Sequence, residues 1–357
     1  MFQVIFCTGG YDHTIRFWEV PSGINYHTIQ FVDSQINKLE ITPNRKYVVA
    51  AGNPTIKLYD IESNTTEAYA SLEGHTNNVT GIGFQKDMKW MYSVSEDKTI
   101  KIWDLRARGC QRDIRNTHAI NTAVLSPNQV ELLTGDQNGG IRRWDLGQKQ
   151  CIQELIPDSK IPVRSVTISN DASLVAAANN EGRCFVWALT NTKNNLSKND
   201  SSDEKKTIQK SVENPTENVK NLKENSLAKK EISFDPQENS LNLENLAEFK
   251  PLHKINAHKT YILKCLISPD IKYLATTSAD HTVKIWNIEQ NFELDKTLTG
   301  HQRWVWDCAF SHDSCYLITG SSDHVARLWD IEQGETIHHY TGHNKAITAV
   351  ALYDFFD

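Results

Sequence analysis

Polar turn residues and short apolar runs alternate along most of this chain. Glu96-Asp97-Lys98-Thr99 is one such polar cluster, and Ile100-Lys101-Ile102-Trp103 follows it with β-branched and aromatic residues. Runs of this kind, bounded by turn residues, predict short strands joined by tight turns. The strands close on an aromatic position at Trp18, Tyr59, Trp103, Trp144, Trp187, Trp286 and Trp329. Neighbouring marks stand 41–44 residues apart, except that 99 separate Trp187 from Trp286. The pattern predicts seven copies of one four-stranded unit, with a single long interruption.

Gly300–Asp330 shows the unit most completely, with Gly-His at its start, two apolar runs, Asp323, and Trp329-Asp330 at its end. His301 lies 22 residues before Asp323, and Trp329 lies six after it. His75/Asp97/Trp103 and His258/Asp280/Trp286 repeat that spacing. A fixed period of about 40–45 residues with these marks is the sign of WD repeats. Each unit is a small antiparallel sheet that cannot bury both faces alone, so the units must stack around an axis. The expected fold is all-β, a seven-bladed WD-repeat β-propeller.

Both ends of the chain are fragments of a repeat. Val4–Cys7, Thr14–Trp18 and His27–Gln30 predict three strands, and Ile347–Leu352 predicts one more after Gly342-His343. Together they complete a blade, so the ring is expected to close by pairing N-terminal strands with the C-terminal strand. Closure spares the terminal blades an exposed edge, and thermal opening is expected to begin at the join. The expected organisation is propeller over residues 1–189, an insert over 190–249, and the rest of the propeller over 250–357. Thr190–Glu248 is rich in Asn, Lys, Glu and Ser, with Phe234 its only aromatic. It predicts a disordered loop with a short helix near Leu241–Leu246 at most. It is expected to precede the innermost strand of the next blade.

Composition narrows the function. The chain has 357 residues, 39% of them hydrophobic, enough for a large core or several small ones. A net charge of −6 offers no general attraction to nucleic acid or to anionic membranes. The seven cysteines are scattered and never spaced as CxxC, which predicts core residues of a reducing compartment. The N-terminal apolar run is too short for a signal peptide or a membrane span. A soluble intracellular protein is expected.

A recurring His, Ser/Thr and Asp invites a catalytic reading. The sets are His75/Ser93/Asp97 with Trp103, His258/Thr276/Asp280 with Trp286, and His301/Thr319/Asp323 with Trp329; His343/Thr8/Asp12 with Trp18 spans the termini. An enzyme needs one nucleophile–base pair in one cleft. Four copies at one spacing instead indicate a structural device, and the resemblance to WD repeats implies that these positions form a buried relay from Asp to His to Ser/Thr to Trp. The other blades depart from it. Asn138 stands for the Asp in the fourth, beside His118, Thr134 and Trp144. The second carries Asp33, Val49, Asn53 and Tyr59; the fifth carries Pro162, Ala177 and Glu181 before Trp187. Packing alone is expected to hold these three. No phosphate loop, carboxylate pair or metal-ligand spacing stands out. The expectation is a protein without catalysis, metal or cofactor.

Function then falls to the ring's faces. Aligned on the repeats, the starts of the innermost strands place Gln35/Asn37, Asn78/Thr80, Ala119/Asn121, Pro162/Arg164, Tyr261/Leu263, Trp304/Trp306 and Ala346/Thr348 around one rim. Trp304 and Trp306 on one side of a strand make candidate binding anchors.

Longer runs carry a resemblance. Gly10–Trp18, Asp33–Asn37, Gly74–Gly81, Ser95–Asp104, Leu155-Ile156-Pro157 and Trp304–Trp329 resemble the G-protein-β-subunit-like (GβL) family of WD-repeat subunits of TOR kinase complexes. The resemblance covers nearly all of the chain except the insert. It implies a non-catalytic scaffold that docks on the C-lobe of the TOR kinase catalytic domain and stabilises the active kinase. It further implies association with other TOR complex subunits, in nutrient-controlled growth and actin cytoskeleton organisation. A cytoplasmic location is implied, at endomembranes through the kinase complex. By the same resemblance Gln35 and Trp304 are contact residues, with Asn37 and Trp306 their neighbours. A competing reading is a substrate receptor of a cullin-RING ubiquitin ligase, because Trp103-Asp104-Leu105-Arg106 fits a WDxR pattern.

Overall fold

The structure is a computed structural model, and it describes residues 4–63, 65–106, 109–190 and 248–354. Among these it contains seven antiparallel four-stranded sheets and no helix, arranged as a seven-bladed propeller. Numbered by their closing aromatic, blades 2 to 7 have inner strands Lys38–Ile41, Val79–Phe84, Ile120–Leu125, Val163–Ile168, Ile262–Ile267 and Val305–Phe310.

Blade 1 is the join. Its inner strand is Ile347–Tyr353, followed outward by Ile5–Gly10, Thr14–Trp18 and Asn25–Gln30. Ile5–Gly10 pairs antiparallel with Ile347–Tyr353, with Thr8 opposite Val350. At the end of this ladder Tyr11 N–H donates to Ala346 O at 2.9 Å. A Cβ on Gly10 would lie 2.1 Å from that same oxygen. The close approach of the two chain ends therefore requires glycine there.

The core is distributed rather than central. Each buried apolar cluster joins the facing sides of two neighbouring blades. Cys7, Ile15 and Phe17 of blade 1, for example, pack on Ile36, Leu39 and Val48 of blade 2. Val283 and Ile285 of blade 6 pack on Val305, Leu317 and Trp329 of blade 7. Burial of these faces, at about 25 cal/mol per Å² of apolar surface, is what makes an otherwise marginal four-stranded sheet stable. Cys7, Cys184, Cys265 and Cys308 are buried in these layers, while Cys110 and Cys315 are exposed.

The insert lies elsewhere than the sequence suggested. Glu248–Asn256 is the outermost strand of blade 5 and not the innermost strand of the next. It pairs with Arg183–Thr190 along its whole length, out to Thr190 opposite Glu248. Pro251 in EFKPLHKIN disguises the strand, because proline cannot donate to a ladder. Here the residue sits on an outer edge, at a register shift between Val186 and Trp187. Phe249 then closes the blade edge-on to Trp187, with centroids 6.4 Å apart. Residues 191–247, with the disorder and short helix expected there, fall outside the described residues. The hairpin they interrupt leaves the ring at the far end of blade 5. There Leu189 N–H reaches Ser173 O, whereas the Gly182–Ala257 end sits with Pro162 at the start of the inner strand.

Candidate partner-binding rim

The rim is built on the turns, and four turns are fixed by one device. Trp Nε1–H can only donate and a carboxylate can only accept, so the order of donors is dictated. In blade 7 Trp329 donates to Thr319 Oγ1 at 2.9 Å, Thr319 Oγ1–H donates to His301 Nε2 at 2.8 Å, and His301 Nδ1–H donates to Asp323 at 2.8 Å. Blade 3 repeats this through Trp103, Ser93, His75 and Asp97, at 2.8, 2.7 and 2.8 Å. Blade 6 uses Trp286, Thr276, His258 and Asp280, at 3.0, 2.9 and 2.8 Å. Blade 1 assembles it from both chain ends, through Trp18, Thr8, His343 and Asp12, at 2.8, 2.7 and 2.8 Å.

Each carboxylate also ties two loops together. Asp323 accepts from Gln302 N–H at 3.0 Å and from Val325 N–H at 3.2 Å. Burial alone would push the Asp323 carboxyl up. The hydrogen bond from His301, with the two backbone donors, overcomes this and holds it at about 2. Asp12 and Asp280 are held low in the same way, against their burial, by His343 and His258 and by neighbouring threonines. Burial pushes His75 and His343 down, more than their aspartates raise them. A neutral imidazole fits the donor order. The relay thus anchors Gln302, two residues before Trp304.

Blades 2, 4 and 5 are held by ion pairs as well as by packing, which corrects the expectation of packing alone. In blade 4 the turn is organised by Asp136, two residues before Asn138. Asp136 accepts from the backbone N–H of Asn138 and Gly140 and pairs with Arg142, which also reaches Glu154. His118 stands 3.8 Å from Asp136 with its side chain 43% exposed, while Trp144 still donates to Thr134 at 2.9 Å. In blade 2 Asp33 pairs with Lys57 at 2.7 Å, where Val49 and Asn53 offer no relay. In blade 5 Arg183 joins Asp158 at 2.6 Å and Glu181 at 2.7 Å.

The inner strands surround a cavity of about 330 Å³ at the ring's centre, lined by Asn37, Thr80, Asn121, Arg164, Leu263, Trp306 and Thr348, one from each blade. Four of these seven stitch adjacent blades. Asn37 Nδ2 donates to Val79 O at 3.3 Å, Thr80 Oγ1 to Ile120 O at 2.7 Å, Asn121 Nδ2 to Val163 O at 2.9 Å, and Thr348 Oγ1 to Ile36 O. Arg164, Leu263 and Trp306 occupy the same position in blades 5 to 7. That arc is where large side chains face outward. Trp304 is 41% exposed and Tyr261 46%, and their rings meet edge to face with centroids 6.3 Å apart. Trp304 also tilts on Trp306 at 5.6 Å, and Trp306 Nε1–H is fixed by Ser322 Oγ at 2.6 Å.

The structure therefore brings Gln35, Asn37 and Trp306 around one cavity, with Trp304 packed against Trp306 above it. Asn37 is part of a blade seam, whereas among the described residues the Gln35 side chain makes one long hydrogen bond, from Nε2 to Asn78 Oδ1 at 3.5 Å. Tyr261 was not singled out by sequence, although its alignment with Trp304 was a sufficient signal. It and Trp304 share a hollow with Asn180, Glu181, Lys259, Thr260 and Ala279. Among the described residues no group of His, Cys, Asp and Glu could hold a metal ion. Nor is any helix long and apolar enough to cross a membrane. Trp103 of the WDxR run belongs to a relay, and Asp104 accepts from Arg106 N–H at 2.7 Å.

Comparison with known proteins agrees with this architecture. The family model "WD domain, G-beta repeat" matches residues 66–104, 249–287 and 292–330. The chain is 45% identical over 354 residues to the target of rapamycin complex subunit wat1 of Schizosaccharomyces pombe, covering 99% of this chain and 96% of that one. It is 42% identical over 352 residues to the target of rapamycin complex subunit LST8 of Saccharomyces cerevisiae, covering 99% of each. It is 47% identical over 298 residues to the subunit LST8-1 of Arabidopsis thaliana, covering 84% of this chain and 81% of that one. With identity at this level along nearly its whole length, the chain belongs to the LST8 family of WD-repeat target of rapamycin complex subunits.

Proposed function

We propose that this chain is a non-catalytic scaffold subunit of TOR kinase complexes, and that its channel rim binds the C-lobe of the kinase catalytic domain and stabilises the active kinase. The observation that carries the reading is the exposed Trp304, braced by Tyr261 and Trp306 on the arc of blades 5 to 7. Rigid aromatic side chains at a rim bury large area on binding at little entropic cost, which is the profile of an interface anchor. A scaffold stabilises an active conformation only by binding it better than the inactive one. A wide, pre-formed rim gripping one lobe supplies that difference without chemistry of its own. Through the kinase the chain would meet the other subunits, in the cytoplasm and at endomembranes, in growth control and cytoskeletal signalling. The ubiquitin-ligase alternative is not favoured, because the relatives similar to this chain along nearly its whole length are named as target of rapamycin complex subunits.

Affinity purification of the tagged chain from cells tests this. Recovery of a very large kinase, lost in a Trp304→Ala/Gln35→Glu variant with an unchanged melting temperature, is the expected result. Recovery of a cullin adaptor in place of the kinase would refute it.

A further inference from the structure

Below the aromatic rim, the channel wall carries four ionisable side chains that no relay uses. Lys38 and Glu40 lie on the inner strand of blade 2, Lys264 on that of blade 6, and Asp307 on that of blade 7. Asp307 is 4% exposed. Its Oδ2 accepts from Lys38 Nζ at 3.0 Å and from Val350 N–H at 3.2 Å, and its Oδ1 lies 3.6 Å from Lys264 Nζ. Burial would push the Asp307 carboxyl up, but Lys38 and Lys264 hold it below the usual carboxylate range. Burial would lower Lys38, but Asp307 and Glu40 hold it above its ordinary value. The pair is charged on both sides.

Its path is unusual for a propeller seam. Blades 2 and 7 are not neighbours, because blade 1 stands between them. The inner strand Ile347–Tyr353 contacts Val305–Phe310 on one side and Lys38–Ile41 on the other. The Lys38–Asp307 pair therefore reaches past the inner strand of the blade where the chain's two ends meet, and holds it through Val350. The two residues also occupy matching places. Lys38 follows Asn37 by one and Gln35 by three; Asp307 follows Trp306 by one and Trp304 by three. The inner strands of blades 3 to 7 are all bulged at this place, that of blade 7 between Val305 and Asp307, at Trp306 itself. A bulge re-aims a side chain, and in blade 7 the residue just beyond it is the one the ion pair holds.

We infer that the Lys38–Asp307 ion pair is a clasp that fixes the Gln35 and Trp304 segments as one docking face across the closure blade. Asp307 and Lys38 are positioning residues, touching no partner themselves. The inference rests on the kinase-contact reading of the rim for its role in docking, though not for the clasp itself. The blade 6–7 and 7–1 seams, where Leu263 and Trp306 replace a stitching side chain, are the ones Asp307 spans. Removing one member unbalances the cluster, leaving two lysines to one carboxylate or two carboxylates to one lysine, whereas removing both leaves Glu40 and Lys264 as each other's counter-charge.

Hydrogen exchange of the full chain, read by mass spectrometry, tests the clasp without any kinase. Asp307→Asn should speed exchange by a factor of about 5–30 at residues 35–38, 304–307 and 347–353 together. The inner strands Val79–Phe84 and Ile120–Leu125 should keep their wild-type rates. Lys38→Met should affect the same three segments, and the double variant should be no worse than Asp307→Asn alone. If Asp307→Asn fails to fold, Lys38→Met, whose side chain is 19% exposed, carries the same test. Acceleration confined to the mutated strand, spread evenly round the ring, or additive in the double variant would overturn the clasp. Kinase co-purification should fall with Asp307→Asn although Gln35 and Trp304 are intact. Undiminished co-purification, where Trp304→Ala abolishes it, would separate the clasp from docking and leave the kinase reading standing.

Discussion

Tyr261 and Trp304 meet at 84° across the seam between blades 6 and 7, each ring presenting an open face to solvent. Edge-to-face pairs are worth about 0.5–1.5 kcal/mol beyond their area, so each ring holds the other in place before a partner arrives. Tyr261→Ala should therefore weaken kinase binding by freeing Trp304 as well as by losing its own contact. Titration of the kinase domain should show Trp304→Ala costing about 2 kcal/mol or more. The double variant should cost less than the sum of the singles, since the two rings couple. Strictly additive losses would mean that the rings act separately.

Gln35 makes a different prediction. Among the described residues its side-chain amide has one long hydrogen bond, to Asn78, and so is available to a partner. Asn37 Nδ2 donates to Gly52 O and Val79 O, each at 3.3 Å. Gln35→Ala should reduce kinase co-purification without changing the melting temperature, while Asn37→Ala should lower the melting temperature. The reverse pattern would exchange their roles. The sequence resemblance named Gln35 as a contact and Asn37 as its neighbour on the same rim, and nothing in the sequence gave Asn37 a role in a blade seam. The distinction lies in where the neighbouring blade's carbonyl falls.

Blade 5 offers a test of the insert. Thr190 and Glu248 are direct partners at the end of a hairpin, so a short Gly/Ser turn can replace residues 191–247 without moving either strand. The melting temperature should change little, and kinase binding should persist because the hairpin leaves the ring opposite the rim. A large loss of stability would show that the segment packs on the ring. What the sequence revealed here was uneven. Periodic marks such as Trp187 were legible because every blade needs them, whereas Phe249 sits in a strand broken by Pro251 and read as the edge of a linker. Arg142–Asp136 was hidden for a related reason. The pair replaces the relay with different residues at different positions, and alignment on His118 and Asn138 cannot find it.

Blade 4 then predicts a swap of dependence. His118→Ala should change stability by less than about 0.5 kcal/mol, since its side chain is 43% exposed and outside the ion pair. Arg142→Met would leave the buried Asp136, and the half-buried Glu154, without their cation and should cost about 3 kcal/mol. Denaturant melts of both variants decide the matter. A loss at His118 as large as that at Arg142 would mean that the imidazole holds the turn too, and small losses at both that neither does.

The relay of blade 7 makes the last prediction, through pH. The Asp323 carboxyl is depressed from 3.8 to about 2 in the folded chain. A depressed carboxylate contributes stability that is complete above its unfolded value and is lost as pH falls from there through the folded one. For a shift of this size the contribution is about 2 kcal/mol, lost between about pH 4 and 2. Asp12, Asp97 and Asp280 are depressed as well, so acid removes four such contributions together. His75 and His343 begin the decline earlier. With folded values below 6.5, they too stabilise most above it and less as pH falls. Asp323→Asn should unfold at a lower temperature than wild type at pH 6, by about 1–3 kcal/mol of stability. Its melting temperature should then fall less steeply below pH 4, and the two curves should converge. At Glu181, whose blade has Pro162 and Ala177 in place of the His and Thr, the matching Glu181→Gln change should cost less stability at pH 6 than Asp323→Asn does. Parallel curves for wild type and Asp323→Asn would show that the carboxylate is not depressed and that the turn, rather than the charge, is what the relay supplies.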